Sequence, residues 1–128
     1  MIGCEVSEFL ASFGKDVTII EMAKRIALNV GPTSRWDVVK RVKRWGIKLL
    51  MSSKVVEIKE DGVILEDSEG TKTIKADTIV LALGMKSDTS LFDSLNRKIS
   101  NLHTIGDCVK PARILEAIHS GYNVNRKF

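Results

Sequence analysis

The stretch that decides the fold is MIGCEVSEFLASFGKDVTIIE, residues 1–21. The apolar periodicity of residues 2–13 predicts a helix, and Gly14 is a favoured helix stop. The apolar run 17–20 then predicts a strand that ends at Glu21. A helix started by a glycine and followed by such a strand is the second half of a βαβ nucleotide unit. We therefore expect a chain that begins after the first strand of that unit.

The complete fingerprint of this unit explains which residues matter. Its G-x-G-x-x-G loop lets a pyrophosphate approach the helix start, and an acid about 20 residues later binds the ribose hydroxyls. Gly3 fits the third glycine, which serves close packing of helix on strand, and Glu21 fits the acid. A carboxylate there repels a 2′-phosphate, so the sequence favours NADH over NADPH.

The composition is typical of a soluble globular protein with one domain, or one and a part. The chain has 128 residues, of which 44% are hydrophobic and 28% charged. No apolar run approaches the roughly 20 residues of a membrane span. Glu5 and Glu8 interrupt the amino-terminal apolar positions, so no secretory leader is expected. We expect a cytoplasmic protein with no membrane partner.

The cysteines and histidines give no pattern for metal or redox chemistry. Cys4 and Cys108 lie far apart and form no C-x-x-C pair, which argues against a redox dithiol and a zinc site. His103 and His119 have no ligand partners at useful spacing. We expect two reduced packing cysteines and no metal site.

The net charge of +4 raises the question of a nucleic-acid partner. The helix predicted over residues 33–45 carries the basic residues Lys40, Arg41, Lys43 and Arg44. Trp36, Val39 and Val42 recur on it at three-residue spacing and predict a buried stripe, which leaves the basic residues on the solvent face. No nucleic-acid motif or interleaved exposed aromatic residue is apparent, so we expect no nucleic-acid partner.

The middle of the chain changes to strand periodicity. An apolar run at 47–51 precedes an alternating run at 54–59. Asp61-Gly62 predicts a hairpin turn, and residues 68–70 predict a second turn before the strand at 71–75. Together they indicate a three-stranded antiparallel meander inserted into an otherwise parallel domain.

An apolar strand predicted at 78–83, of the kind buried on both faces, ends at Gly84. The order helix, strand, helix, strand, meander, strand resembles the NAD(P)H-binding domain of flavoprotein reductases with two dinucleotide domains. In that family the last strand ends in a short A-T-G-like turn, which here reads Ala82-Leu83-Gly84. The resemblance implies that Ala82 and Gly84 border the cofactor, because the ligand crevice lies at the carboxyl ends of the strands.

Residues 101–108, NLHTIGDC, look like the second flavin-binding motif of that family, a strand followed by glycine and aspartate. The resemblance implies that Gly106 permits close approach of FAD and that Asp107 binds its ribityl or pyrophosphate region. A helix predicted from Pro111 carries an apolar stripe made of Ile114, Leu115, Ile118 and Tyr122. This carboxyl-terminal run is similar to the enoate reductase, 2,4-dienoyl-CoA reductase and NADH oxidase group, which is related to old yellow enzyme.

The expected fold class is α/β. It is a Rossmann-like NAD(P)-binding domain that lacks its first strand, with an antiparallel β-meander insertion and the carboxyl-terminal strand and helix of an FAD domain. The resemblance implies a partial NAD(P)H-binding domain at 1–86 and an FAD-domain segment at 87–128. The rest of the FAD domain, and any barrel with FMN and an iron–sulfur cluster, would lie upstream of Met1.

The implied reaction is hydride transfer from NADH to a flavin and then to an enone, a dienoyl-CoA or another acceptor. The protein positions the cofactors, so no catalytic acid or base is expected here, and the chain alone is expected to be inactive. Two alternatives stay open. One is a nucleotide-binding module that holds only ADP, as in relatives that resemble trimethylamine dehydrogenase. The other is a vestigial interaction module without catalysis.

Two charged candidates have equally ordinary explanations. The resemblance implies that Glu5, one turn into the first helix, orients the nicotinamide, but the helix dipole alone favours a carboxylate there. Arg25, with Lys24, follows Glu21 closely and is a candidate for a 2′-phosphate, although a solvated surface charge is the simpler explanation.

The expected partners are a nicotinamide dinucleotide and the remainder of the flavoprotein. A sheet without its central first strand has two unpaired inner edges, and each unsatisfied buried backbone group costs about 1–3 kcal/mol. We therefore expect homo-oligomerisation through the unpaired strands, or a rearranged sheet.

Overall fold

The computed structural model describes residues 1–126. The chain forms two compact units, Met1–Ala82 and a second that begins at Leu83. The elements of the first unit are α1 (Ile2–Ser12), β1 (Thr18–Glu21), α2 (Pro32–Arg44), β2 (Lys48–Met51), β3 (Lys54–Lys59), β4 (Gly62–Asp67) and β5 (Gly70–Lys75). Those of the second are α3 (Ser90–Leu95), a short 3-10 turn (Gly106–Cys108) and α4 (Ile114–Asn125).

The first unit contains the predicted parallel pair of strands. β1 and β2 run parallel, with Thr18 opposite Lys48 and Glu21 opposite Met51. Parallel neighbours need a crossover, and α2 provides it. The core packed around the pair consists of Cys4, Ile26, Ala27, Val38, Val42 and Ile47. The expected mixed α/β architecture is thus confirmed.

The predicted antiparallel meander is also confirmed. The strands lie in the order β3-β4-β5. The first hairpin turns where Lys59 pairs with Gly62, whose positive φ of +151° suits glycine. Val63 and Leu65 of β4 are buried, while β3 is exposed along its length. The middle strand therefore anchors the meander.

The stripe predicted on α2 is wrong at one position. Trp36 is 65% exposed, whereas Val38 is 1% exposed and Val42 is fully buried. Residues four apart lie on the same helix face, so Val38 and Val42 define the core side, with Val39 packed at its edge. Trp36 lies on the other face, where its ring is 5.0 Å from the ammonium of Lys40. Lys40, Lys43 and Arg44 are exposed, as expected, whereas Arg41 is half-buried and its Nε donates to Oε2 of Glu8 on α1 at 2.9 Å.

Two predicted strands are absent from the described part of the chain. Residues 78–83 and 102–105 have no strand hydrogen bonding, and the sheets contain only β1 to β5. A strand exists through its ladder to a neighbour, and neither segment has such a neighbour among residues 1–126. In the first segment the apolar Val80 and Leu81 are exposed as a result.

The last helix begins three residues later than predicted. Arg113 is the N-cap with extended backbone (φ −97°, ψ 170°), so Pro111 lies before the helix. The carboxylate of Glu116 accepts the N–H of Arg113 at 3.2 Å, which is half of a capping box. This local acceptor fixes the start at Ile114. The predicted apolar stripe is present but solvent-exposed, comprising Ile114, Leu115, Ile118 and Tyr122.

Candidate functional site

In the first unit, the first turn of α1 lies directly against the segment that contains Ala82. A Cβ built on Gly3 would lie 3.1 Å from the Cβ of Ala82. Real Cβ atoms rarely approach so closely, so the contact favours a glycine on the helix side. The structure therefore brings together two predicted site residues, in close packing of the kind that the third glycine of a dinucleotide loop serves.

Glu21 is the last residue of β1 and lies at the carboxyl end of the parallel pair. Its Oε1 accepts the backbone N–H of Ala23 at 2.9 Å, and its carbonyl accepts the N–H of Ser53 at 3.1 Å. Ser53 is 3% exposed and follows β2. These bonds hold Glu21 at the edge where α/β sheets bind ligands. Ser53 was missed because a serine after a strand gives no sequence signal of its own.

Three further predicted residues are exposed and less closely tied to this edge. Glu5 lies in the first turn of α1, and Arg25 lies on the connection from β1 to α2. Neither belongs to a salt bridge within residues 1–126. Gly84 has a φ of +89°, which glycine adopts without strain, and belongs to the second unit.

The second unit contains Gly106 and Asp107 in its 3-10 turn. Gly106 has a φ of +65°, a left-handed conformation that favours glycine. Its N–H donates to Oγ of Ser120 at 2.8 Å, and Oδ1 of Asp107 accepts the N–H of Ala112 at 3.2 Å. The turn is thus tied to α4 on one side and to the loop before α4 on the other. Ser120 was also missed, because a lone serine in a helix is not a motif.

An open groove of about 440 Å³ lies between this turn and α4. Gly106, Ser120, Lys110 and Glu116 contribute to its walls, whereas Asp107 is not among the lining residues. The rest of the lining is mostly small or apolar. The groove combines backbone of unusual conformation with a few polar groups.

The two cysteines differ in environment. Cys4 is 5% exposed within the core of the first unit, and its burial raises the pKa of the thiol. Cys108 is half-buried, and its Sγ lies 3.0 Å from the carbonyl oxygen of Ile105. Both thiols are free.

Residues 1–126 contain no metal-binding cluster and no helix long and apolar enough to cross a membrane. Within that range, no group of three or more His, Cys, Asp or Glu residues is placed to hold a metal ion. The helices in the same range are too short or too polar to cross a bilayer.

Comparison with known proteins gave consistent matches. The family described as pyridine nucleotide-disulphide oxidoreductase matches residues 1–121. The chain is 35% identical over 124 residues to a metal reductase of Desulforamulus reducens, covering 97% of this chain and 19% of that protein. It is 34% identical over 126 residues to an NADH oxidase of Thermoanaerobacter brockii, with the same two coverages.

A solved structure agrees with these relatives. The structure of a 2-naphthoyl-CoA reductase complex matches with a TM-score of 0.84 and 31% identity, covering 99% of this chain and 20% of that one. The chain therefore spans about one fifth of the length of the relatives that it matches.

Proposed function

This chain belongs to the pyridine nucleotide-disulphide oxidoreductase family, and we propose that it supplies the NADH-binding part and a flavin-binding segment of a flavin-dependent NADH oxidoreductase. The family works with NAD(P)H and FAD, the nicotinamide supplying a hydride that the flavin accepts. The residues of this chain then have to hold and orient the two dinucleotides. The final acceptor would be an enone, a dienoyl-CoA or another oxidant.

The position of Glu21 is the observation that carries the proposal. Its carboxylate lies at the carboxyl end of two parallel strands, and its Oε1 is oriented by the N–H of Ala23 at 2.9 Å. A carboxylate fixed at this edge suits the two hydroxyls of an adenosine ribose, because ionised acceptors form the stronger hydrogen bonds. It disfavours a 2′-phosphate through like-charge repulsion, which supports a preference for NADH.

The start of α1 suits a pyrophosphate. Its N-cap, Met1, offers no side-chain acceptor to the first-turn N–H groups. Gly3 lets the helix lie close to Ala82, where a larger residue would push it away. A helix amino terminus attracts anions through its N–H groups and its dipole. Gly3, Ala82 and, by its place in the first turn, Glu5 would line the dinucleotide.

The turn at Gly106 suits the linker of FAD. Gly106 has no Cβ to obstruct a ligand, and Asp107 supplies an exposed carboxylate for ribityl hydroxyls. Gly84 would allow a similar close approach at the end of the preceding segment. We assign Gly106 and Asp107 to FAD, and Gly84 to the dinucleotide crevice.

The proposal also covers a surface charge, further cofactors, the location and the partners of the protein. Arg25 is a surface charge in this scheme, consistent with its exposure. FMN and an iron–sulfur cluster would belong to other parts of the same flavoprotein. We further propose a cytoplasmic location, no membrane or nucleic-acid partner, and association of copies through unpaired strands.

The test uses the protein expressed from the complete reading frame that encodes this chain. In Glu21→Gln, the amide oxygen can still accept the N–H of Ala23, so the local turn is kept while the charge is lost. We expect NADH to bind about 10- to 100-fold more weakly, the value of hydrogen bonds to a charged group. Discrimination against NADPH should fall as well. Titration by nicotinamide fluorescence measures both.

Glu60→Gln, in the exposed turn between β3 and β4, is the matched control and should leave NADH affinity unchanged. Flavin bleaching on addition of NADH, followed by stopped-flow absorbance, tests hydride transfer. Unchanged affinity in Glu21→Gln would contradict the assigned site. If ADP and NADH bound equally well and NADH did not bleach the flavin, the chain would be an ADP-only module and the proposal would be wrong. A reading frame without a flavin domain would overturn it.

A further inference from the structure

One hydrogen bond in the second unit joins residues that are 14 positions apart. The N–H of Gly106 donates to Oγ of Ser120 at 2.8 Å, and the pair is partly buried. The hydroxyl of Ser94 in the same unit bonds to nearby backbone, donating to the carbonyl of Leu91. Ser120 instead ties the middle of α4 to the glycine of the turn.

Together with two others, this hydrogen bond holds the Gly106 peptide in place. The carbonyl of Gly106 already accepts the N–H groups of Val109 and Lys110 at 3.0 and 3.2 Å. With Ser120 on its N–H, both hydrogen-bonding groups of a left-handed residue are satisfied. Without such contacts a glycine backbone can rotate easily. These hydrogen bonds therefore fix the orientation of the Gly106 peptide.

The direction of Gly106 determines where Asp107 projects. Asp107 is the next residue, and its Oδ1 accepts the N–H of Ala112 at 3.2 Å. If Gly106 rotates, the carboxylate moves with it. Ser120 and Gly106 also line the same groove.

We propose that Ser120 is a positioning residue for the flavin segment, whose hydroxyl holds the Gly106 turn so that the Asp107 carboxylate is aimed at the hydroxyls of the FAD linker. This inference rests on the proposed function. Ser120 acts through Asp107 and is not itself a catalytic residue. A hydroxyl is suited to the task because it accepts the glycine N–H without adding charge beside the carboxylate.

The experiment compares Ser120→Ala, Ser120→Thr and Ser94→Ala in the protein from the complete reading frame. FAD affinity is measured by recovery of flavin fluorescence on release, and amide exchange at Gly106 is followed by mass spectrometry. We expect Ser120→Ala to weaken FAD binding about 5- to 10-fold, the effect of one hydrogen bond, and to speed exchange at Gly106. Ser120→Thr keeps a hydroxyl and should restore both, while Ser94→Ala changes neither.

A double-mutant cycle with Asp107→Asn separates positioning from a general structural effect. If Ser120 acts through Asp107, Ser120→Ala should cost little further affinity once the carboxylate is gone. Additive losses, or wild-type FAD affinity in Ser120→Ala, would overturn the inference while leaving the proposed function intact. A wild-type protein that binds no FAD would overturn both. Thermal melts show whether Ser120→Ala folds, and Ser120→Thr tests the inference independently if it does not.

Discussion

At the scale of single residues, Gly3 shows how the absence of a side chain sets the distance between a helix and the segment packed against it. A Cβ added at Gly3 would lie 3.1 Å from the Cβ of Ala82, so a methyl group there would push the two segments apart by a few tenths of an ångström. Gly121, inside α4, would meet only the side chain of Ile105 at an ordinary 3.9 Å. These two helical glycines therefore differ in packing and make a matched pair.

We expect Gly3→Ala to destabilise the first unit by about 1–3 kcal/mol, the usual cost of overpacking. Gly121→Ala should be neutral or stabilising, because alanine is the better helix former. Urea unfolding measures both. In the double variant Gly3→Ala with Ala82→Gly, much of the loss should be recovered. Equal effects of the two glycine substitutions would show that the contact is not tight.

The thiol of Cys4 predicts a pH dependence. Burial disfavours the thiolate, so the folded unit keeps the proton at pH values where the unfolded chain releases it. The folded-state pKa is raised, so this stability is fully present below the unfolded-state pKa of about 8.5. It is lost as the pH rises through the folded-state pKa.

We therefore expect the urea midpoint of the first unit to fall more between about pH 7 and pH 10 in the wild type than in Cys4→Ala. Cys108→Ala, which removes the half-buried thiol, should retain the wild-type dependence. Unfolding curves at both pH values provide the comparison. Parallel declines in wild type and Cys4→Ala would refute the role of Cys4.

At the scale of elements, α2 shows which side of a helix the core selects. Val42 is fully buried and Trp36 is 65% exposed. Val42→Ala removes two buried methyl-sized groups and should cost about 2 kcal/mol, with more if a cavity remains. Trp36→Ala should cost about 1 kcal/mol or less, the value of its cation–π contact with Lys40. Urea unfolding measures the loss of stability in each variant. A larger loss for Trp36→Ala would mean that Trp36 faces the core, as the sequence predicted.

The sequence predicted those elements whose bonding is local or whose partners are near in the chain. Both hairpins followed from their glycine turns, and β1 and β2 from apolar runs on either side of a helix. Residues 78–83 have the composition of a buried strand, but composition does not supply the neighbour that a ladder requires. Trp36 was misplaced because spacing alone does not say which of two overlapping stripes faces the core.

The residues of the candidate sites also differ in how far the sequence predicts them. Glu21 and Gly106 could be proposed from the sequence because strand ends and glycines carry a recognisable pattern. Ser53 and Ser120 were not, since their roles depend on contacts between distant parts of the chain, at 3.1 Å to the carbonyl of Glu21 and 2.8 Å to the N–H of Gly106. Contacts like these, between residues far apart in the sequence, are seen only in the folded structure.

At the scale of the whole molecule, the unpaired apolar segment argues for association between copies. Within residues 1–126 the parallel sheet has two strands. Within the first unit, Val80 is 52% and Leu81 65% exposed in a segment without strand pairing. Extended apolar backbone with free edges is a template for pairing with another chain.

We expect the 128-residue chain to self-associate as its concentration rises. Leu81→Lys places a charge in the unpaired segment and should shift the population towards monomer, because a buried lysine ammonium is costly. Leu91→Lys changes an equally exposed leucine on the short helix α3 and should leave association unchanged. Sedimentation velocity over a concentration series measures all three. A monodisperse wild-type monomer at every concentration would contradict the predicted association.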